Sequence, residues 1–252
     1  MTKVAVSKKE LLSFLKLVAV KGEIENKEAL LSISKDGIDV RVISADRSLA
    51  ISGSLNAEFE DIGDVGIDNI QQFIKIVEAM GNDFNISFSS NKVTVQTAKS
   101  KLTNVLRSAE YIVNKLETDK FKSVKDKTTN GISFVLPNEV LKDIVSKFKL
   151  IDSKELQFIG KDNELKVKSK NTDDETEFET IYDIALNGTF SIKLNAFIID
   201  LFDSISTDVA VGLAKENPNV IHICAKNDSY SFDYLIALLV QEESEEPKKK
   251  KK

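Results

Sequence analysis

The chain has 252 residues, 42% hydrophobic and 30% charged, which fits one large globular domain or two of about 125 residues and not a disordered chain. One cysteine and one histidine rule out an internal disulfide framework and a four-ligand Cys/His zinc site, and point to a reducing compartment. No apolar run nears the ~18 residues of a membrane span, and 35 basic against 40 acidic residues give −5, or −10 once the five terminal lysines are set aside, which excludes a simple basic nucleic-acid-binding domain.

In chain order, the apolar stretch Val4-Ala5-Val6 reads as a strand and Ser7–Val20 as a helix, opened by the S-x-x-E capping box of Ser7 and Glu10. Its apolar stripe is Leu11, Leu15 and Val18, with Lys9, Ser13 and Lys16 on the opposite face. Alternation predicts strands over 29–34, 38–44 and 47–55, with Gly37 as a turn glycine. A second helix follows over Asp68–Met80, with Asp68 as its N-cap and Gln71, Gln72 and Lys75 on its polar face. Strands are expected over 83–88, 92–97 and 101–107. Residues 113–130 are polar, Lys-rich and without clear period, as in a linker, although Leu116, Phe121 and Val124 are apolar for a free tether.

Beyond the linker, a strand over 131–136 leads to a helix over Asn138–Phe148. Its apolar stripe is Leu141, Ile144 and Phe148, and Lys142, Ser146 and Lys149 stand opposite. Strands are expected over 155–160, 164–170, 177–185 and 189–193, then a helix over Asn195–Ile205. That helix breaks the pattern, carrying Ala196, Ile199 and Asp203 where the others carry lysine. Strands over 209–214, 219–225 and 229–239 close the fold. His222 and Cys224 share one face of a strand; a core strand with a buried thiol accounts for them better than a catalytic pair. There is no Walker loop, GxGxxG or nucleophile elbow. Pro247 and the lysines after it read as an import signal, an anion-binding tail or a tag.

The halves repeat. Leu11 matches Val140 at an offset of 129, Ile33 matches Ile159 at 126, and the Ile70-x-x-Phe73-Ile74-x-x-Val77 pattern matches Leu194-x-x-Phe197-Ile198-x-x-Leu201 at 124. Three matches in order indicate a duplicated unit. The expected organisation is α+β: a unit over 1–112, a linker over 113–130, a second unit over 131–241, and a tail over 242–252.

A duplicated strand–helix–strand unit with a central linker resembles the DNA sliding clamps, the processivity rings represented by proliferating-cell nuclear antigen and the clamps of tailed phages. The resemblance is carried by Val65-Gly66-Ile67-Asp68-Asn69-Ile70-Gln71-Gln72-Phe73-Ile74-Lys75-Ile76-Val77 and by the closing Asp233-Tyr234-Leu235-Ile236-Ala237-Leu238. It implies two clamp domains, each of antiparallel sheets with two helices on one face, closing as a homotrimer around double-stranded DNA. It implies no enzymatic activity, no cofactor and no membrane, with a DNA polymerase and a clamp loader as partners. The location implied is cytoplasmic, or nuclear if the tail is an import signal. On that reading Lys9, Lys16, Lys75, Lys142 and Lys149 face DNA, and edge strands near Val105 and Ile181 join subunits. Client peptides dock by Ile43, Ala45, Leu116, Phe121, Tyr234 and Ile236. The competing reading is a non-catalytic structural or assembly protein with a duplicated β-rich fold, and an enzyme ranks third.

Overall fold

A computed structural model describes residues 6–20, 27–151, 153–171, 173–215 and 218–239. Val4, Ala5 and the acidic and poly-Lys tail lie outside the described residues. The first half runs α1 (Lys8–Ala19), β1 (Ala29–Ser34), β2 (Gly37–Ile43), β3 (Leu49–Asn56), β4 (Gly63–Ile67), α2 (Ile70–Ala79), β5 (Asn85–Ser89), β6 (Lys92–Gln96), β7 (Lys101–Val105) and β8 (Arg107–Ser108). Helix α3 (Thr118–Thr129) follows. The second half runs β9 (Ile132–Leu136), α4 (Asn138–Ile151), β10 (Glu155–Lys161), β11 (Glu164–Lys170), β12 (Glu177–Asp183), β13 (Phe190–Asn195), α5 (Ile198–Ser204), β14 (Val209–Leu213), β15 (Val220–Lys226) and β16 (Tyr230–Ala237).

Local chemistry explains the element ends. At α1 the capping box forms as expected: Glu10 N–H donates to Ser7 Oγ, and Ser7 N–H donates to the Glu10 carboxylate at 3.0 Å. Helix α2 is capped by Asn69, whose side chain accepts from Gln72 N–H at 2.8 Å, rather than by Asp68. Asp68 instead pairs with Arg107 at 2.8 Å. The turn between β10 and β11 uses Asp162 and Asn163 at φ 53° and 63°, the left-handed pair that a two-residue hairpin needs. Gly37 opens β2 at φ 150°, where a Cβ would sit 2.0 Å from the Leu55 carbonyl oxygen, so only glycine fits.

The strands form three antiparallel sheets. A nine-stranded sheet runs β8-β4-β1-β2-β3-β16-β15-β14-β9, a four-stranded sheet β12-β11-β10-β13, and a three-stranded sheet β5-β6-β7. The nine-stranded sheet joins the halves where β3 meets β16, with Phe232 opposite Gly53 and Tyr234 opposite Ile51. Helix α1 packs on α2 and α5, and α5 packs on α4. This makes one row, α2-α1-α5-α4, over the core face of the sheets. Buried apolar residues of both halves form one continuous core.

The duplication is real, but its registers differ from those read in the sequence. Leu11 N–H bonds Ser7 O and Leu141 N–H bonds Pro137 O, so α1 and α4 correspond at an offset of 130. The hairpins close at Ser34 with Gly37 and at Lys161 with Glu164, an offset of 127. Ile70 and Ile198 both begin helices, an offset of 128. Leu194 ends β13, and a strand running into a helix had imitated the helical spacing. A one-residue slip in a strand exchanges its faces; Ile33 therefore corresponds to core-facing Gly160, where the Phe190 ring takes the place of a side chain.

Two elements were not foreseen. One is β4, which pairs with β1. The other is α3, which occupies most of the segment expected to be a linker. Its sequence has low helical amphipathicity because only Phe121 and Val124 are strongly apolar. It is held by tertiary contacts: Phe121 and Thr128 are buried, and α3 lies against β9, β14, β15 and β16. A Cβ on Gly212 would meet the Thr128 carbonyl oxygen at 2.9 Å. Gly212 alternates with buried Val211 and Leu213, so α3 covers the sheet face opposite the helical row.

Candidate functional site

The helical row carries the five lysines singled out in the sequence. Lys9 and Lys16 lie seven residues apart on α1, and Lys142 and Lys149 likewise on α4, a spacing that keeps each pair on one helix face. Lys9, Lys75, Lys142 and Lys149 are exposed and Lys16 is half-buried. They are not uniformly free. Lys16 pairs with Glu78 at 2.9 Å and Lys149 with Asp203 at 2.8 Å. Lys8 is structural, donating to the Glu78 and Met80 carbonyl oxygens at 2.9 and 2.5 Å, at the C-terminal end of α2. Lys147 pairs with Asp143, which also accepts from Tyr182 Oη at 2.6 Å. Those two hydrogen bonds hold the Asp143 carboxyl below its ordinary range, and burial with that bond pushes the Tyr182 phenol up.

Helix α5 contributes no lysine. It is packed between α1 and α4, and Ile199, placed on its polar face by the sequence pattern, is buried. Its polar residues are Asp200, Asp203 and Ser204. Together the four helices hold seven lysines and six carboxylates, a near balance on a chain of net charge −5.

The edges of β7 and β12 stand open where the resemblance set the joining strands, near Val105 and Ile181; β5 and β13 are the other ends of the same two sheets. Strand β7 ends the three-stranded sheet and β12 ends the four-stranded sheet. Val105 on β7 is 69% exposed and Ile181 on β12 is 50% exposed. The ends of the nine-stranded sheet differ. Strand β8 has two residues. Strand β9 is met by Leu186, which bridges Phe134, and by Asn187, which accepts from Ser133 N–H at 2.5 Å. Blunted and capped edges of that kind resist further pairing.

The six residues assigned to a peptide groove divide between surface and core. Ile43 and Leu116 are half-buried and Ala45 is exposed, whereas Phe121 is buried under α3. Tyr234 and Ile236 are 0% exposed and face the core; Tyr234 Oη donates to Leu17 O at 3.3 Å and its ring stacks on Phe232. They are therefore not groove walls. Strand parity was the missed signal. Asp233 faces outward, so its neighbour at i+2, Leu235, does too, and the register lines up Ile43, Ala50 and Leu235 across the outer face. Tyr111 and Val113, both strongly exposed, were also missed.

His222 and Cys224 do share a face, and it is the face under α3. His222 Nε2 lies 2.7 Å from Asp233 Oδ1, while Lys125 of α3 donates to Asp233 Oδ2 at 2.5 Å. Burial disfavours the Asp233 charge, but the bonds from His222 and Lys125 outweigh it and hold the carboxyl below its ordinary range. Burial, and then the Asp233 charge, push the Cys224 thiol up, which suppresses the thiolate a nucleophile needs. The cluster fastens α3 to the sheet. Among the described residues, no group of three or more His, Cys, Asp or Glu side chains is placed to hold a metal ion, and no helix is long and apolar enough to cross a membrane.

A duplicated chain with one helical row, sheets outside it and two open edges defines a clamp-like α+β fold. Solved structures of proliferating-cell nuclear antigen share it. The antigen from Entamoeba histolytica matches at TM-score 0.72 and 12% identity over 94% of this chain and 98% of that one. The A. fulgidus antigen, solved with the C-terminal region of FEN-1 bound, matches at 0.74 and 10% over 96% and 99%. The Thermococcus kodakaraensis antigen matches at 0.71 and 16% over 94% and 99%. No protein-family model matches the sequence, and no curated protein does. The likeness is one of fold, spanning nearly the whole of each chain.

Proposed function

We propose that this protein is a sliding clamp: a ring of three copies that encircles duplex DNA and tethers a DNA polymerase, without catalysis of its own. The observation that carries the reading is the row α2-α1-α5-α4 on one face of sheets that end, on opposite halves, in two open edges. Pairing those edges head to tail closes a ring with the helices lining the bore. Contact between lysines and phosphates along that row reads no sequence. An acidic chain can then hold DNA, because closure rather than affinity retains it.

The halves act as two domains, 1–112 and 131–241, joined by 113–130. Clients and a clamp loader bind the outer face, where Ile43, Ala50 and Leu235 form an apolar row beside Ala45 and Leu116. The antigen solved with a bound C-terminal region of FEN-1 is the precedent for a client peptide. The test is native mass with DNA retention. Three copies of 28.0 kDa give about 84 kDa, and a loaded ring should stay on nicked circular DNA and run off once the circle is linearised. A monomer at micromolar concentration, or equal retention on both forms, would refute the reading.

A further inference from the structure

The segment that joins the halves is a belt across the outer face of the nine-stranded sheet. Ile112 covers Gly66 on β4, and Arg41 of β2 donates to Thr118 Oγ1 at 3.5 Å. Lys125 reaches Asp233 on β16, and Thr128 meets Gly212 on β14. Between Thr118 and Lys125 the helix rises about 10.5 Å, and two strand spacings from β2 to β16 span about 9.6 Å. Helix α3 therefore crosses the strands nearly at right angles, over the row Arg41–Ser52–Asp233. The next row, Ile43–Ala50–Leu235, runs beside it as an apolar strip between α3 and the β2–β3 turn.

The two flanks of α3 differ in charge. Phe121, Lys125 and Thr128 face the sheet. At ~100° per residue, Lys120, Val124 and Lys127 then fall on one flank, and Asp119, Lys122 and Asp126 on the other. The outward residues of β16 point their N–H groups toward β3, as Ala237 N–H to Ser48 O shows. With a right-handed helix running from β2 to β14, that sense turns the flank of Lys120, Val124 and Lys127 toward Leu235. Val124 is half-buried and Lys122 is exposed, as this orientation requires.

The carboxylates around the strip are already engaged. Asp46 accepts from Ser44 Oγ at 2.6 Å and from Ser48 N–H at 3.1 Å. Glu28 accepts from Val113 and Asn114 N–H at 3.1 and 2.9 Å. Glu117 pairs with Lys120 at 2.8 Å, with both side chains well exposed, a hold that contributes little. Among the described residues no ion pair holds Lys127, or Arg47 on the β2–β3 turn. We infer that this strip takes a client segment whose apolar residues are followed by acidic ones, with Lys120, Lys127 and Arg47 selecting the charge. The inference rests on the clamp reading above and adds the chemistry of its client. Without its terminal lysines the chain carries −10, so an acidic segment is repelled elsewhere and the basic banks also fix where it lands.

The test is fluorescence anisotropy on the full chain with two synthetic peptides. One has alternating leucines followed by a run of glutamates; its twin has lysines in that run. The glutamate peptide should bind at least about tenfold tighter than its twin. Lys120→Glu with Lys127→Glu should abolish the preference. Lys122→Glu with Lys226→Glu makes the same charge change on the far side of α3 and should retain it. Equal binding of the twins, or equal loss in both double variants, overturns the inference. So does glutamate-peptide binding seen only when the chain is ended at Leu239, which would give the strip to the chain's own Glu242–Glu246. A trimer retained on circular DNA that shows any of these results leaves the clamp reading standing, whereas a monomer overturns that reading itself.

Discussion

The β3·β16 joint and the free edges of β7 and β12 are built from corresponding strands, yet one is paired within the chain and the other, in the proposed ring, is left for a second chain. The closed joint buries Phe232 and Tyr234 completely and is strapped from outside by α3. The open edges expose Leu102, Val105 and Ile181, and β12 is met by α4 on its core side, where Tyr182 bonds Asp143. In the proposed ring, strength within a chain and reversibility between chains would come from the same strand pairing, adjusted by the size of the side chains and by one covering helix.

Mutations should separate the two joints. Phe232→Ala opens a cavity in the closed joint and should cost about 3–5 kcal/mol of folding stability, read as a fall in the denaturant midpoint. The same truncation at Leu102, partly exposed, should cost far less in folding.

Asp233→Asn comes next. It removes the charge that pairs Lys125 and His222 and should cost about 1–3 kcal/mol, with added protease sensitivity in α3. The pH dependence has a definite sign. The folded carboxyl of Asp233 lies below the ordinary aspartate range, so its contribution is complete above about pH 4 and is lost as pH falls through the lower folded value. Wild-type stability should therefore drop below pH 4 more steeply than that of Asp233→Asn. Parallel pH slopes would show that the cluster does not hold the strap.

The smallest effect on folding belongs to the open edge. Ile181→Lys changes an exposed side chain and should shift folding stability by less than about 0.5 kcal/mol. In the proposed ring it adds positive charge to a joint to which β7 brings Lys101, and like charges across a pair cost about 0.2–1 kcal/mol at each joint. Trimer dissociation, followed by mass against dilution, should occur at higher concentration than in wild type. Unchanged dissociation would place Ile181 outside the joint.

Much of this comparison was legible in the sequence. The α+β character, the duplication and four of the five helices follow from strong periodicity, whereas the edges at Val105 and Ile181 came from the resemblance to the clamps. What escaped has physical causes. Helix α3 is stabilised by burial of Phe121 and Thr128 and by Lys125 reaching a distant strand, none of which leaves a local pattern. Strand β4, to which the sequence reading assigned no element, is too short and glycine-containing to alternate visibly. Tyr234 and Ile236 were set on the wrong face because a strand buried on both sides near its end has few polar markers; Asp233 was the one available. The lysines of the helical row could be found by helical spacing, but Glu78 and Asp203 as neighbours of Lys16 and Lys149 could not, since each comes from another helix.

Those two ion pairs bear on how the ring would move. A surface that already pairs two of its five lysines with its own carboxylates displaces fewer condensed counterions when a polyanion passes, and the slope of affinity against salt follows the number displaced. A duplex threaded along the α2-α1-α5-α4 row would meet few deep electrostatic wells. Residence on DNA would then depend little on ionic strength, and the resistance to translocation would be close to that of water-lubricated diffusion.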